Sequence, residues 1–472
     1  MTDRRKFLKT SCAALTMTAM ATQMRHFGLI NALAQDKEVD GDGGTGGNYK
    51  ALVCVFLSGG NDGNNTVIPN YDAGYGQYSA ARAVQGLAIP RANLLAVAPP
   101  AMNGDAYGFH PSMTDLHTLW NQNKLAVVAN VGTLMQPLTR AQYQSGGVRP
   151  MQLFSHSDQV EQFKTAISNY RSPTGWGGRL SDRTAGLNSG AAIPMISQIS
   201  TGANVFTVGN SSTPLIVAPS PTPLNQVLTL NGFADVDAAT RRGAMNNIRS
   251  ANLDYTMTQA ASILTQQSLN VSQQLSTDPV LTATFPNTIL GNQLRQVAKL
   301  MKFRTQLNMS RQVFYVQLGG FDTHSNQLIQ HANLWTQVSQ ALKAFYDETV
   351  AQGIAEDVTT FTMSDFNRTL NPAGSGSGAG SDHAWGGHHF VMGGSVLGGN
   401  FYGRPTSNGS IFPTLVNAGP DDAETRGRII PSVSVEQYAA TLARWFGLSN
   451  TEIPLVFPNI NSFGGSDLGF MI

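Results

Sequence analysis

The sequence predicts an α/β fold in which a mostly parallel central sheet is flanked by helices and carries a helical insertion or cap. The first observation is a set of largely apolar runs, Ala51–Leu57, Leu125–Val131, Gln312–Leu318 and Val358–Met363, the pattern of strands covered on both faces. The second is that helical stretches separate these runs, as crossovers within a parallel sheet require. The third is composition: 48 glycines and only 12% charged residues in a 472-residue chain suit many tight turns and loop-borne chemistry, and no solenoid-type repeat is present.

The elements follow in order. Residues 1–34 read as a twin-arginine export signal. Arg4-Arg5-Lys6-Phe7-Leu8-Lys9 carries the paired arginine, Ser11–Ala21 is mildly apolar, and Ala32-Leu33-Ala34 supplies a small-residue cleavage site. Residues 35–50 form a glycine-rich leader with no means of packing. A single domain is expected over 51–472. Its first strand, Ala51–Leu57, stops at Ser58-Gly59-Gly60-Asn61-Asp62-Gly63. A helix over Met113–Gln122 leads to the strand Leu125–Val131, and Phe154–Asp158 opens another helix. Residues of about 193–308 are expected as an insertion, with short extended pieces as an antiparallel excursion or cover, then a helical cap and a packing helix. The strand Gln312–Leu318 ends in Gly319–His324 and is followed by a long helix over Asn326–Ala351. The strand Val358–Met363 ends in Ser364–Arg368. A glycine run, Gly374–Gly380, then introduces Ser381–His389, and Val435–Phe446 forms an amphipathic helix.

Charge bounds the partners. Removing the signal takes five cations (Arg4, Arg5, Lys6, Lys9, Arg25) and Asp3, leaving 25 cations facing 28 anions and a net charge of −3. That balance argues against nucleic acid. The twin-arginine translocase is the expected partner during export and the periplasm or exterior the destination, with a co-exported protein as a further candidate partner. No later run is long and apolar enough to span a bilayer. Cys12 leaves with the signal, so Cys54 has no partner for a disulfide and reads as a small buried hydrophobe.

The chemistry should lie at one rim. Three strands stop at acid-bearing loops carrying Asp62, Asp322 with His324, and Asp365, and parallel topology brings these strand ends to one edge, where open α/β sheets bind ligands. Ser381–His389 adds Asp382, His383, His388 and His389. Acids gathered there would repel one another unless a cation sat among them. Imidazole and carboxylate together suit one or two divalent metal ions, with zinc, calcium and manganese as candidates. Adjacent residues of an extended chain face opposite ways, so only one of His388 and His389 is expected to contribute. Gly59, Gly60, Gly63, Gly319 and Gly320 would let backbone N–H groups approach an anion, and Arg368 is positioned to clamp a tetrahedral oxyanion.

The segments FLSGGNDGNNTVIP, GGFDTH, TMSDFNRT and SDHAWGGHHFVMGG, with GFHPSM and the late helix, together resemble an exported bacterial family of unknown function, DUF1501. That family in turn resembles the alkaline phosphatase and sulfatase superfamily. The resemblance implies an alkaline-phosphatase-like sheet, usually two metals, and cleavage of a small anionic phosphate or sulfate ester. It maps the early metal-binding acid onto Asp62 and the later Asp and His onto Asp322 and His324. The pattern departs at Asp365-Phe366, where an Asp-His pair is implied, so that His383 would supply the imidazole. The implied nucleophile at a helix start falls best on Ser155, beside His156, with Thr66 and Ser112 as alternatives. No C-x-P-S-R sequence is present, which excludes conventional formylglycine sulfatase chemistry. The competing reading is a non-catalytic periplasmic binding or assembly protein of the same fold.

Overall fold

The structure, a computed structural model, describes residues 49–200, 204–224, 237–249 and 277–472, with scattered positions between 259 and 275. The expected export signal and nearly all of the leader lie outside the described residues.

Among the described residues the main sheet has nine strands. In chain order its strands are β1 (Lys50–Leu57), β2 (Leu125–Gly132), β3 (Ile196–Gln198), β4 (Leu215–Ile216), β5 (Arg311–Leu318), β6 (Val358–Ser364), β7 (Gly387–Gly393), β8 (Phe401–Tyr402) and β9 (Val433–Ser434). Across the sheet the order is β8-β2-β7-β6-β1-β5-β3-β4, with β9 also beside β2. Every pairing is parallel except those of β7, which runs against both β6 and β2. The sheet is therefore mostly parallel and flanked by helices.

Strand β1 shows why these runs are apolar throughout. Ala51, Val53, Val55 and Leu57 enter one core layer, while Leu52, Cys54 and Phe56 enter the layer on the opposite face. A two-residue period with both faces covered leaves no polar position. Among the described residues, the helices that carry or support the rim and the two core layers include α1 (Asp72–Arg82), α2 (Thr114–Asn121), α3 (His156–Thr165), α4 (Ile289–Lys302), α5 (Gln327–Ala351) and α6 (Val435–Phe446). Leu294, Val297, Trp335, Val338 and Phe345 bring α4 and α5 to the first layer. Phe163 of α3 and Tyr438, Leu442 and Phe446 of α6 fill the second. Among the described residues no helix is long and apolar enough to cross a membrane.

One feature differs from the sequence expectation. The extended pieces after Ile193 are not antiparallel: β3 pairs parallel with β5 and β4 parallel with β3, extending the sheet at its edge. Strands of three and two residues are too short to display a period. The direction of β7, on which the sequence carries no expectation, is reversed relative to its neighbours. The chain leaves the C-terminal end of β6, loops through residues 365–386 and re-enters at the same rim, which keeps the histidine-rich segment beside the other strand ends.

Helix α6 is started by a capping box in which Ser434 and Gln437 exchange hydrogen bonds with each other's backbone. It carries Glu436, wholly buried, whose carboxyl burial pushes up to about 7. A folded-state pKa above the unfolded one gives stability that is complete below the unfolded value and lost as pH rises to about 7. Glu436→Gln should flatten that slope and, above pH ~8, raise stability by on the order of 3 kcal/mol. Melting temperature measured across pH for both proteins checks it; parallel curves would contradict it.

Candidate metal centre

The rim loops are locked together before any ligand is considered. Gly59, with φ of +117°, lets its turn press against the loop after β5, since a Cβ there would lie 2.3 Å from the Asp322 nitrogen. Its N–H donates to Asp365 Oδ1 at 2.9 Å, and Ser381 N–H donates to the Thr323 carbonyl at 3.2 Å. The chain after β6 also pairs with the chain before β7: Arg368 bridges His383, and Thr369 N–H donates to the Asp382 carbonyl at 2.9 Å. These bonds set His383 opposite the loops of β5 and β6.

Three imidazoles and one carboxylate meet there. The Nε2 atoms of His156 and His324 lie 3.1 and 3.0 Å from Nε2 of His383. Asp322 Oδ1 lies 3.3, 3.0 and 3.5 Å from Nε2 of His156, His324 and His383 respectively. Each ring is held from behind. His156 Nδ1 faces Asp365 Oδ2 at 2.7 Å, His324 Nδ1 faces Asp382 Oδ1 at 3.2 Å, and His383 Nδ1 faces the Phe154 carbonyl at 2.8 Å. Carboxylates and carbonyls accept and do not donate, so the proton of each neutral ring sits on Nδ1 and the Nε2 lone pair points inward. Inward lone pairs beside a carboxylate repel one another unless a cation lies between them. This donor set, with a carboxylate or carbonyl behind each imidazole, is the arrangement of a metal-binding histidine cluster. The separations among His156 Nε2, His383 Nε2 and Asp322 Oδ1 match the edge of a tetrahedral zinc sphere, about 3.3 Å for bonds of about 2.0–2.1 Å, and these three groups form the set that could hold an ion, with His324 beside it. The residues fit a metal ion.

Electrostatics agree with the geometry. The hydrogen bond to Asp365 raises the His156 pKa against the effect of burial, whereas burial lowers that of His383. Burial pushes the Asp322 carboxyl up, but the Arg368 hydrogen bond and charge and the neighbouring imidazoles hold it below the usual range. The side chains of Asp322, His324, His156 and His383 are 46%, 45%, 33% and 25% exposed, so the cluster opens to solvent.

Other expected site residues are placed differently. Asp62 is fully buried. It caps the short helix Gly63–Thr66, takes a two-point pair from Arg82 of α1 at 2.6 and 3.0 Å, and accepts from the Gln327 amide. Its oxygens are spent away from the cluster. Asp365 supports His156 and accepts from Gly59, so it stands behind a ligand. Asp382 has the same role behind His324. His388 and His389 do face opposite ways, but both are buried and both are pushed down to about 3 by burial. His388 stacks on Phe412 at 4.6 Å and His389 on Tyr438 at 5.6 Å, which makes them core side chains of β7.

Arg368 is sealed from solvent. It donates to Asp322 Oδ1 at 2.8 Å and to the Ser381 carbonyl at 2.5 Å, so it steadies a ligand and cannot reach a tetrahedral oxyanion in the cleft. The Gly59 and Gly63 N–H groups likewise serve the protein's own Asp365 and Asn367 and not a bound ester anion. The Ser155 hydroxyl donates to Asp158 Oδ2 at 2.6 Å.

Sequence reasoning cast His156 beside a nucleophile and did not see it as a ligand. Its only sequence signal is its place at the first turn of a helix whose N-terminus meets the rim. Phe366, standing where a second histidine was implied, packs against the rings of His156 and His383 at 4.7 and 4.8 Å. Phe154 was also missed. It holds a left-handed backbone with φ of +70°, costly for a bulky residue, and that conformation is what places its carbonyl on His383.

Residues 49–417 match the family described as "Protein of unknown function (DUF1501)". No curated protein matches the sequence. Solved structures with some likeness include the lipoteichoic acid synthase LtaP from Listeria monocytogenes, at 9% identity and TM-score 0.26, covering 72% of this chain and 58% of that one. The PsFucS1 sulfatase from Pseudoalteromonas sp. shares 9% identity at TM-score 0.28, with 75% of this chain and 64% of that one covered. A protein in the alkaline phosphatase superfamily from Vibrio parahaemolyticus shares 10% identity at TM-score 0.32, covering 90% and 75%. The chain thus spans less than two thirds of LtaP and of PsFucS1.

Proposed function

Because the chain belongs to the DUF1501 family, whose match takes in every residue of the histidine cluster and its Asp322, we propose that it is an exported metal-dependent hydrolase or transferase acting on a phosphate, sulfate or related ester. The observation that carries this reading is the convergence of His156 Nε2, His383 Nε2 and Asp322 Oδ1 into one ligand group open to solvent, with His324 Nε2 alongside at 3.0 Å from both His383 Nε2 and Asp322 Oδ1. His156, Asp322 and His383 would hold a single divalent ion, with His324 beside them. Imidazole-rich donor sets favour zinc, then manganese, over calcium, which takes oxygen ligands. Among the described residues no second group of ligands offers itself to another ion, because Asp62 and Asp365 are committed to N–H donors.

When bound, such an ion supplies Lewis acidity toward an ester oxygen and a lowered pKa for water. The protein's own part is positioning and charge. Asp322, Asp365 and Asp382 against Arg368 and Arg426 leave a formal −1 around the cluster, so a divalent ion brings the centre to +1 and makes an anionic ester welcome only when metal is present. Phe366 forms a dry wall behind two rings, and Arg368 fixes the orientation of Asp322. The Ser155 hydroxyl is turned to Asp158, so water is the better nucleophile. Periplasmic or secreted placement through the twin-arginine route belongs to the same proposal.

One observation favours a second reading, an exported binding or assembly protein with a structural ion. His324 Nε2 lies 3.0 Å from both Asp322 Oδ1 and His383 Nε2, so by closing on the ion it would complete four protein ligands, and fully ligated zinc sites are structural ones. The test is to purify the chain, measure metal per chain, and assay chromogenic phosphate mono- and diesters and sulfate esters before and after chelation. Turnover lost on chelation and restored by zinc supports the enzyme. Full occupancy with no turnover supports the binding protein.

A further inference from the structure

We propose that the loop from Asp421 to Arg428 is the outer clamp of the metal centre, with Arg426 and Arg428 as positioning residues for His324 and His383. This rests on the one-ion reading of the site. Arg426 bonds Asp382 Oδ2, while Oδ1 of the same carboxylate accepts from His324 Nδ1. Arg428 Nε donates to the His383 carbonyl at 3.0 Å. Its guanidinium also lies 3.9 Å above the Phe154 ring, and Phe154 is the residue whose carbonyl receives His383 Nδ1. Two arginines spaced two apart in the chain therefore each grip the support of one imidazole.

The loop is built to hold them still. Asp422, wholly buried, accepts from the backbone N–H of Ala418 and Gly427 at 2.8 Å and of Glu424 and Arg428 at 3.0 Å. The carbonyls of Arg426 and Gly427 accept from Asn371 and Leu370, both at 3.1 Å, which stitches the loop to the chain just beyond Arg368. Gly427 adopts φ of +71°, and a Cβ there would meet the Leu370 side chain at 2.2 Å, so the close seam depends on glycine. The scaffold has one consequence for the centre. It holds His324 and His383 in place against the repulsion of their inward lone pairs, so that binding an ion needs little rearrangement.

The experiment uses the purified full chain, zinc affinity by competition with a chromophoric chelator, and the visible spectrum of the cobalt(II)-loaded protein as a readout of ligand geometry. Arg426→Ala and Arg428→Ala should each weaken zinc binding by roughly 10–100-fold and shift the cobalt spectrum. Arg426→Lys should fall between, since lysine keeps the charge but loses the planar fork. The melting temperature of the metal-free variants should stay close to that of the parent, which separates positioning from a folding defect. Parent-like zinc affinity and cobalt spectrum in both alanine variants would overturn the clamp while leaving the metal centre standing. A parent chain that binds neither ion overturns the centre and the clamp together.

Discussion

Asp322→Ala is expected to remove metal from the protein, with the affinity for zinc falling by more than ~100-fold, beyond the loss typical of an outer partner. Asp322 is the one carboxylate whose oxygen lies within 3.0–3.5 Å of all three inward nitrogens. Its loss leaves three neutral imidazoles and a buried Arg368 deprived of its counter-charge, so a cation is both less held and more repelled. Turnover, where present, should fall in step with occupancy. Folding should survive, because Asp322 is about half exposed and Arg368 keeps its bond to the Ser381 carbonyl, with the loss of Arg368's counter-charge read separately as a lowered melting temperature of the metal-free variant. A variant that still retains one zinc per chain after dialysis would contradict the assignment.

The second large effect runs the other way. Asp62→Ala should cost about 3–5 kcal/mol of folding stability while leaving zinc affinity at the parent value. Asp62 and Arg82 are both fully shielded from solvent and joined at 2.6 Å, so deleting the acid strands a guanidinium in the interior. That guanidinium also bonds the Leu370 and Thr369 carbonyls at 3.0 and 2.9 Å, which ties the first rim loop to the chain after β6. Denaturant unfolding of the metal-free chain measures the cost. Normal stability combined with lost zinc would return Asp62 to the ligand set.

These two aspartates show what could be read from the chain alone. Each follows an apolar strand, and strand ends in a parallel sheet do gather at one rim, so the location was legible. Their roles were not. Arg82 lies twenty residues beyond Asp62, with nothing in the spacing to mark it as the counter-charge that turns that acid inward. The strands themselves were legible wherever both faces are covered, as in β1 and β6, because a short uninterrupted apolar run ending in a glycine- or acid-bearing loop suits a covered strand best. β3 and β4 were too short to show any period. β7 carries ordinary apolar residues whichever way it runs, so its reversal left no trace in composition. His388 and His389 drew attention as a pair, yet a pair in a strand between two sheet neighbours is carried into the two core layers. His156 stands alone at a helix start, where a lone histidine has many reasons to be, and only the meeting of that helix with the rim gives it a function.

Anomalous scattering from crystals of the chain grown with zinc tests the centre most directly. The expected result is one ion per chain, bonded at about 2.0–2.2 Å to Nε2 of His156 and His383 and to an oxygen of Asp322, with His324 alongside. Zinc found instead between Asp62 and Asp365, or no zinc among the three imidazoles at a saturating concentration, would contradict it.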